Sequence, residues 1–148
     1  MQSFDTEPGT DVMPGVVPRT LPPPDRAGTA GPRIIVADRS ATARMQLADV
    51  LRADGYDVRE ACDGLALLDL VAAWHPTLVV TAWDIPHFGG TSVPDAIAQC
   101  GPRAPRVVVT IPEGAHVARE EARAHGACAV FTRPFEMDDI RTAVLNLA

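Results

Sequence analysis

Four short apolar runs in this chain end in side chains suited to ionic chemistry. Ile34-Ile35-Val36-Ala37 leads into Asp38 and Arg39, and Leu78-Val79-Val80-Thr81-Ala82 leads into Trp83 and Asp84. Arg106-Val107-Val108-Val109 ends at Thr110, and Ala129-Val130-Phe131-Thr132 at Arg133. Carboxylates gathered at strand ends suit a hard cation, whereas arginines with a hydroxyl suit an anion. All thirteen basic residues are arginine, which excludes a Schiff-base lysine and a phosphate-loop lysine. No Gly-rich turn follows the first run and there is no nucleophile elbow. No histidine is placed to activate Ser40 or Thr42, so an enzyme is not expected. His75, His87, His116 and His125 have no ligand spacing with one another or with a cysteine, and neither a metal site nor a cofactor is expected. Cys62, Cys100 and Cys128 are odd in number and far apart, against a disulfide framework. Cys62 and Cys128 are read as small core-facing side chains.

The elements that must position these groups follow from periodicity. Residues 1–32 hold half of the fourteen prolines, including Pro22-Pro23-Pro24, and read as a disordered or extended arm that tethers or docks. From residue 33 short apolar strands alternate with amphipathic helices. Ser40 caps a helix carrying Ala43, Leu47, Val50 and Leu51, which Gly55 ends. Tyr56–Ala61 is a strand, and Asp63-Gly64 turns into a helix bearing Leu67, Leu68 and Val71 that stops before Pro76. Strands over 78–82, 106–110 and 129–132 are separated by helices near 93–99 and 116–125. A last helix from Glu136 or Met137 places Ile140, Val144 and Leu147 on one face. Such alternation calls for a parallel sheet covered on both sides, a three-layer α/β domain over 33–148.

Nineteen acidic residues give a net charge of −6, against nucleic acid as a primary partner. No apolar run reaches membrane-spanning length and the polar start is no signal peptide, so no membrane association and a cytoplasmic location are expected.

The order of these pieces resembles the receiver domain of bacterial two-component response regulators. The pieces are Ile34-Ile35-Val36-Ala37-Asp38-Arg39, Pro76-Thr77-Leu78-Val79-Val80-Thr81-Ala82-Trp83-Asp84-Ile85-Pro86, Pro105-Arg106-Val107-Val108-Val109-Thr110 and Phe131-Thr132-Arg133-Pro134-Phe135. The resemblance implies a flavodoxin-like doubly wound five-stranded sheet of order 2-1-3-4-5. It also implies a site in which two carboxylates after the first strand and one ending the third hold Mg²⁺. The third carboxylate accepts a phosphoryl group from a histidine kinase, a lysine neutralises charge, and a hydroxyl senses the phosphate.

Matched to that pattern, Asp38 takes the first acidic position and Arg39 stands where the second acid belongs. Ala82, six residues beyond Pro76, falls on the phosphoacceptor position. Thr110 retains the hydroxyl, Arg133 replaces the lysine, and Val130 falls on the aromatic switch position. Asp84 is read as a salt-bridged or capping aspartate rather than a displaced acceptor, whose geometry would be poor. Arg39 is expected to take the place of the ion by pairing with Asp38, Asp84 or both, while Arg133 approaches from the opposite side. Trp83 either packs on its loop or meets a partner. Trp83, Val130, Arg119 and Arg123 form the candidate interaction surface.

The resemblance then implies a stand-alone, non-catalytic signalling module, an atypical response regulator working by protein–protein interaction without aspartyl phosphorylation. Its partner would be a histidine kinase, a phosphotransfer protein or another regulator. The last two helices and last strand are the family's common homodimer face. The alternative is a small-anion or nucleotide-binding switch built on Arg39, Arg133 and Thr110.

Overall fold

Runs rich in valine and isoleucine, too short to bury as helices, become strands. The longer stretches with a three-to-four-residue apolar repeat become the helices between them. The computed structural model describes residues 31–85 and 92–148, so the expectations placed on residues 1–30, Pro86 and His87 lie outside the described residues. The elements alternate as β1 (Arg33–Ala37), α1 (Ala41–Ala53), β2 (Asp57–Ala61), α2 (Gly64–Trp74), β3 (Leu78–Ala82), α3 (Val93–Ala98), β4 (Arg106–Ile111), α4 (His116–Ala124), β5 (Ala129–Thr132) and α5 (Met137–Leu147). All strand pairs are parallel and the sheet order is β2-β1-β3-β4-β5, the doubly wound order expected. Pro32–Ala148 forms one compact unit.

The strand period of two divides the core into two layers. Ile34, Val36, Leu78, Val80 and Val108 face Leu47, Ala48 and Leu51 of α1 and Ile140 and Val144 of α5. Ile35, Val79, Val107 and Val109 face Leu67 and Val71 of α2, Ile97 of α3 and Ala122 of α4. Every residue of the central strand β3 is buried. At about 1.5–3 kcal/mol for each buried aliphatic side chain, this double-sided burial is the main term that holds the strands together.

Helix boundaries follow local chemistry. Ser40, Asp63 and Ser92 cap α1, α2 and α3 by accepting from Ala43, Ala66 and Asp95 backbone N–H groups. The end of α1 is a Schellman turn, with Tyr56 N–H on Leu51 O and Gly55 N–H on Arg52 O. That turn needs the positive φ of +98° that Gly55 adopts. His75 finishes α2 in the left-handed region. Helix C-termini sit at the same end of the sheet as the strand starts, where Arg33 donates to Trp74 O and Arg106 to Leu147 O. Their positive charges there complement the negative helix ends. The guanidiniums of Arg33 and Arg59 lie over the Trp74 ring, at 5.8 and 4.5 Å from its centroid.

Four side chains sit otherwise than expected. Val130 is only 7% exposed and packs in the layer under α4, because odd-numbered neighbours in β5 point the other way. It is therefore not part of an outer surface. Cys62 and Cys128 are exposed, as is Cys100; Cys62 and Cys128 lie in the turns beside β2 and β5 rather than on an inward-facing strand position. Val50 is half-buried rather than core.

One ion pair joins the two helices of the same layer. Arg141 of α5 grips Asp54, the C-cap of α1, through two 2.8 Å hydrogen bonds and also reaches Asp138. The hydrogen bonds from Arg141 hold the Asp54 carboxyl below its ordinary value, against a smaller opposing effect of desolvation. A lowered folded pKa means that the stabilisation is present above the unfolded value, about 3.9, and is lost as pH falls through the folded one. Asp54→Asn is therefore expected to lower the urea midpoint at neutral pH. The gap from the parent should close as pH falls below about 4, and a gap of constant size across that range would contradict the pairing.

Candidate functional site

The alternation that builds the two layers also decides which residues meet at the top of the sheet. Continuing the Ile34, Val36 face of β1 by two residues reaches Asp38, and continuing Leu78, Val80 reaches Ala82. The Val108 face of β4 continues to Thr110, and that of Ala129 and Phe131 on β5 continues to Arg133. Register confirms the juxtaposition, since Ala82 pairs with Thr110 across β3 and β4. Four positions distant in sequence thus converge at the carboxyl ends of neighbouring strands, on the α1/α5 side.

Asp38 is largely buried, its side chain 12% exposed. One carboxylate oxygen accepts from Ser40 N–H at 2.9 Å, which fixes the entry into α1. The other faces Arg133 at 4.0 Å, close enough for charge attraction and too far for a hydrogen bond. Arg133 donates through Nη2 to Asp84 Oδ1 at 3.2 Å. Its own backbone N–H is anchored on Ile111 O at 2.8 Å, and a cis peptide bond joins it to Pro134. One guanidinium therefore spans the carboxylates that follow β1 and β3. Beside Asp38 and Arg133 lies a cavity of about 40 Å³, bordered also by Ala82, Thr110, Arg44 and Phe135. Thr110 is 4% exposed, and among the described residues its hydroxyl has no hydrogen-bond partner.

Arg39 does not belong to this group. It is exposed, makes no ion pair with Asp38 or Asp84, and does not border the cavity, contrary to the expectation that it replaces an ion there. It lies in the bend between β1 and α1, with its side chain exposed. Arg133 alone makes the contacts expected of Arg39.

Sequence reasoning missed Arg44. Its Nη1 donates to Asp38 O at 2.9 Å and its Nε to Glu60 Oε1 at 3.1 Å, and Arg52 reaches the other Glu60 oxygen at 3.3 Å. Glu60 on β2 thus ties two turns of α1 to the sheet and steadies the loop that carries Asp38. The signal was an Arg44/Glu60 pair on neighbouring elements, invisible without the β1–β2 register.

Trp83 is half-buried and its side chain packs on the α2/α3/α4 layer, while its backbone N–H donates to Thr110 O at 2.8 Å. That is the packing reading of this residue. Arg119 is half-buried and its guanidinium hydrogen-bonds Thr132 on β5, which places it at the sheet edge. Arg123 is exposed. His125 pairs through Nδ1 with Asp95 at 2.7 Å, linking α4 to α3. No group of three or more His, Cys, Asp or Glu residues suited to a metal ion occurs among the described residues. None of the described helices is long and apolar enough to cross a membrane.

A model of the response regulator receiver domain matches residues 34–145. The chain belongs to that family. Among curated receiver proteins it is 32% identical over 126 residues to the transcriptional regulatory protein PdtaR of Mycobacterium tuberculosis, covering 84% of this chain and 60% of that protein. It thus spans less than two thirds of PdtaR. Over 112 residues it is 30% identical to sporulation initiation phosphotransferase F of Bacillus subtilis, covering 76% of this chain and 90% of the relative. Among solved structures, full-length FixJ from B. japonicum superposes with a TM-score of 0.71 at 25% identity, covering 80% of this chain and 58% of FixJ. The receiver is a signalling fold, and its strand ends carry the groups described above.

The Arg44–Glu60 pair is partly shielded, with side-chain exposures of 17% and 25%. A double-mutant cycle of Arg44→Ala and Glu60→Ala, read by urea denaturation, is expected to give a coupling of roughly 1 kcal/mol. A coupling near zero would remove the pair as a support of the Asp38 loop.

Proposed function

We propose that this receiver works in signalling by binding a protein partner and does not accept a phosphoryl group. The observation that carries the reading is Ala82: the residue ending β3, in register with Thr110 and bordering the cavity with Asp38 and Arg133, has a methyl group and no nucleophile. In the family pattern that position holds the phosphoacceptor carboxylate. The partner class is the family's own, a histidine kinase, a phosphotransfer protein or another regulator. Exposed Val117 on α4 and Leu145 on α5 give a second copy of the chain a foothold on the α4-β5-α5 face.

Mg²⁺, which the family pattern implies, does not fit the residues present. Of the side chains bordering the cavity, Asp38 has one oxygen committed to Ser40 N–H and Ala82 supplies no oxygen, and the nearby Asp84, outside the lining, is held by Arg133. Unit charges 4 Å apart interact by about 4 kcal/mol at an effective dielectric of 20. A divalent ion beside Arg133 would feel about twice that as repulsion, cancelling the attraction of one whole carboxylate. Screening weakens all these terms together and leaves their ratio intact.

The nucleotide-switch alternative loses support on size. Small-molecule sites typically enclose ~300–1,000 Å³, whereas this cavity holds about 40 Å³, room for little more than water. Arg39 is also absent from it, and Arg133 is already engaged by two carboxylates.

Incubation with a small-molecule phosphodonor and Mg²⁺, followed by intact-mass measurement, is expected to leave the mass unchanged. An acid-labile adduct on any aspartate would overturn the reading. Ala82→Asp alone is expected to remain unmodified, because Arg133 still opposes the ion on which transfer relies.

A further inference from the structure

We propose that a single internal water occupies the cavity beside Asp38 and Arg133 and ties Thr110 of β4 to that pair. Three polar ends that lack a hydrogen-bond partner among the described residues belong to side chains bordering this cavity. The Thr110 hydroxyl is one, on a residue only 4% exposed. Asp38 Oδ2 is the second, because Ser40 N–H is bound to Oδ1. Arg133 Nη1 is the third, because it is Nη2 that donates to Asp84. Asp38 Oδ2 and Arg133 Nη1 lie 4.0 Å apart, beyond a direct hydrogen bond. Two hydrogen bonds of about 2.8 Å meeting at one water oxygen span roughly 4 to 5 Å.

Size and lining both select water. A water needs roughly 10–15 Å³ of room and takes up about 30 Å³ in the liquid. The cavity of about 40 Å³ therefore admits one water and not two. Purely apolar cavities stay dry, whereas an internal water typically makes about three hydrogen bonds, which the three polar ends supply. The water gives one hydrogen to Asp38 Oδ2, accepts from Arg133 Nη1, and shares a bond with the Thr110 hydroxyl, which can donate or accept. A small anion is the poorer occupant, because it would face the Asp38 carboxylate, and the Arg44 guanidinium nearby is already spent on Asp38 O and Glu60. Thr110 is then a positioning residue, linking β4 through the water to the groups that follow β1 and β5. The inference does not rest on the partner-binding reading, which the mass experiment tests separately.

A crystal structure of the full chain, grown from sodium bromide at a resolution that orders waters, tests the proposal. The expected result is one density peak within hydrogen-bond distance of Thr110 Oγ1, Asp38 Oδ2 and Arg133 Nη1, with no anomalous signal. A bromide anomalous peak at that point would overturn the proposal, as would the lack of any peak or a peak out of reach of Thr110. In solution, Thr110→Val keeps the shape of the side chain and removes one of the three bonds. Oxygen-17 relaxation dispersion is expected to show the residence time of one internal water shortened several-fold against the parent, and equal residence times would refute the role of the hydroxyl. If circular dichroism shows the Val variant unfolded, Thr110→Ser carries the solution test. It keeps the hydroxyl and should retain the long-lived water, and loss of that water from a folded Ser variant counts against the proposal.

Discussion

Burial of a parallel sheet on both faces is the constraint from which the other features follow. A strand whose alternate residues must enter two apolar layers has no freedom of register, because a one-residue slip would exchange the layers. β3 shows the extreme, with all five residues buried. Once Ile34, Val36, Leu78, Val80 and Val108 are committed to the α1/α5 layer, the residues that follow them on the same face are committed too. Asp38, Ala82, Thr110 and Arg133 meet because the core leaves them no alternative.

A cleft assembled in this way needs its charges reconciled where water is scarce. Isolated buried charges are costly, and paired ones tolerable only with good geometry. Here Asp38 has a backbone N–H and a distant guanidinium, Asp84 has the same guanidinium, and Glu60 has two arginines from α1. Arginine suits these roles because its fork can serve two acceptors at once. The same residue type complements the helix ends at the opposite edge of the sheet, through Arg33 and Arg106. A chain without lysine has thus used one kind of cation for both ends of its fold.

Much of this was legible beforehand. The spans of β3 and β5 and the Ser40 cap follow from apolar runs and cap chemistry, and the sheet order from the resemblance to the receiver family. What escaped detection has physical causes. Arg39 was taken as a pocket residue because it stands at the second acidic position of the receiver pattern, yet it sits exposed in the bend after β1. Val130 was taken for a surface residue because it falls on the family's aromatic switch position, yet its face of β5 packs into the core. Arg44 and Glu60 meet only through the β1–β2 register and the rotation of α1, neither of which a linear pattern contains. Single-element features are readable from spacing, while features that depend on two elements at once require coordinates.

The two tryptophans occupy opposite poles of the sheet. Trp74 closes α2 at the strand-start end, in contact with two guanidiniums, and Trp83 follows β3 at the end that bears the cleft. The fold consequently carries two native optical probes with different neighbours, one beside permanent cations and one beside the cleft loop. Loosening confined to either pole would perturb one indole and spare the other, whereas cooperative unfolding would change both together. Emission from this chain can therefore separate a local opening of the cleft from loss of the domain without any added label.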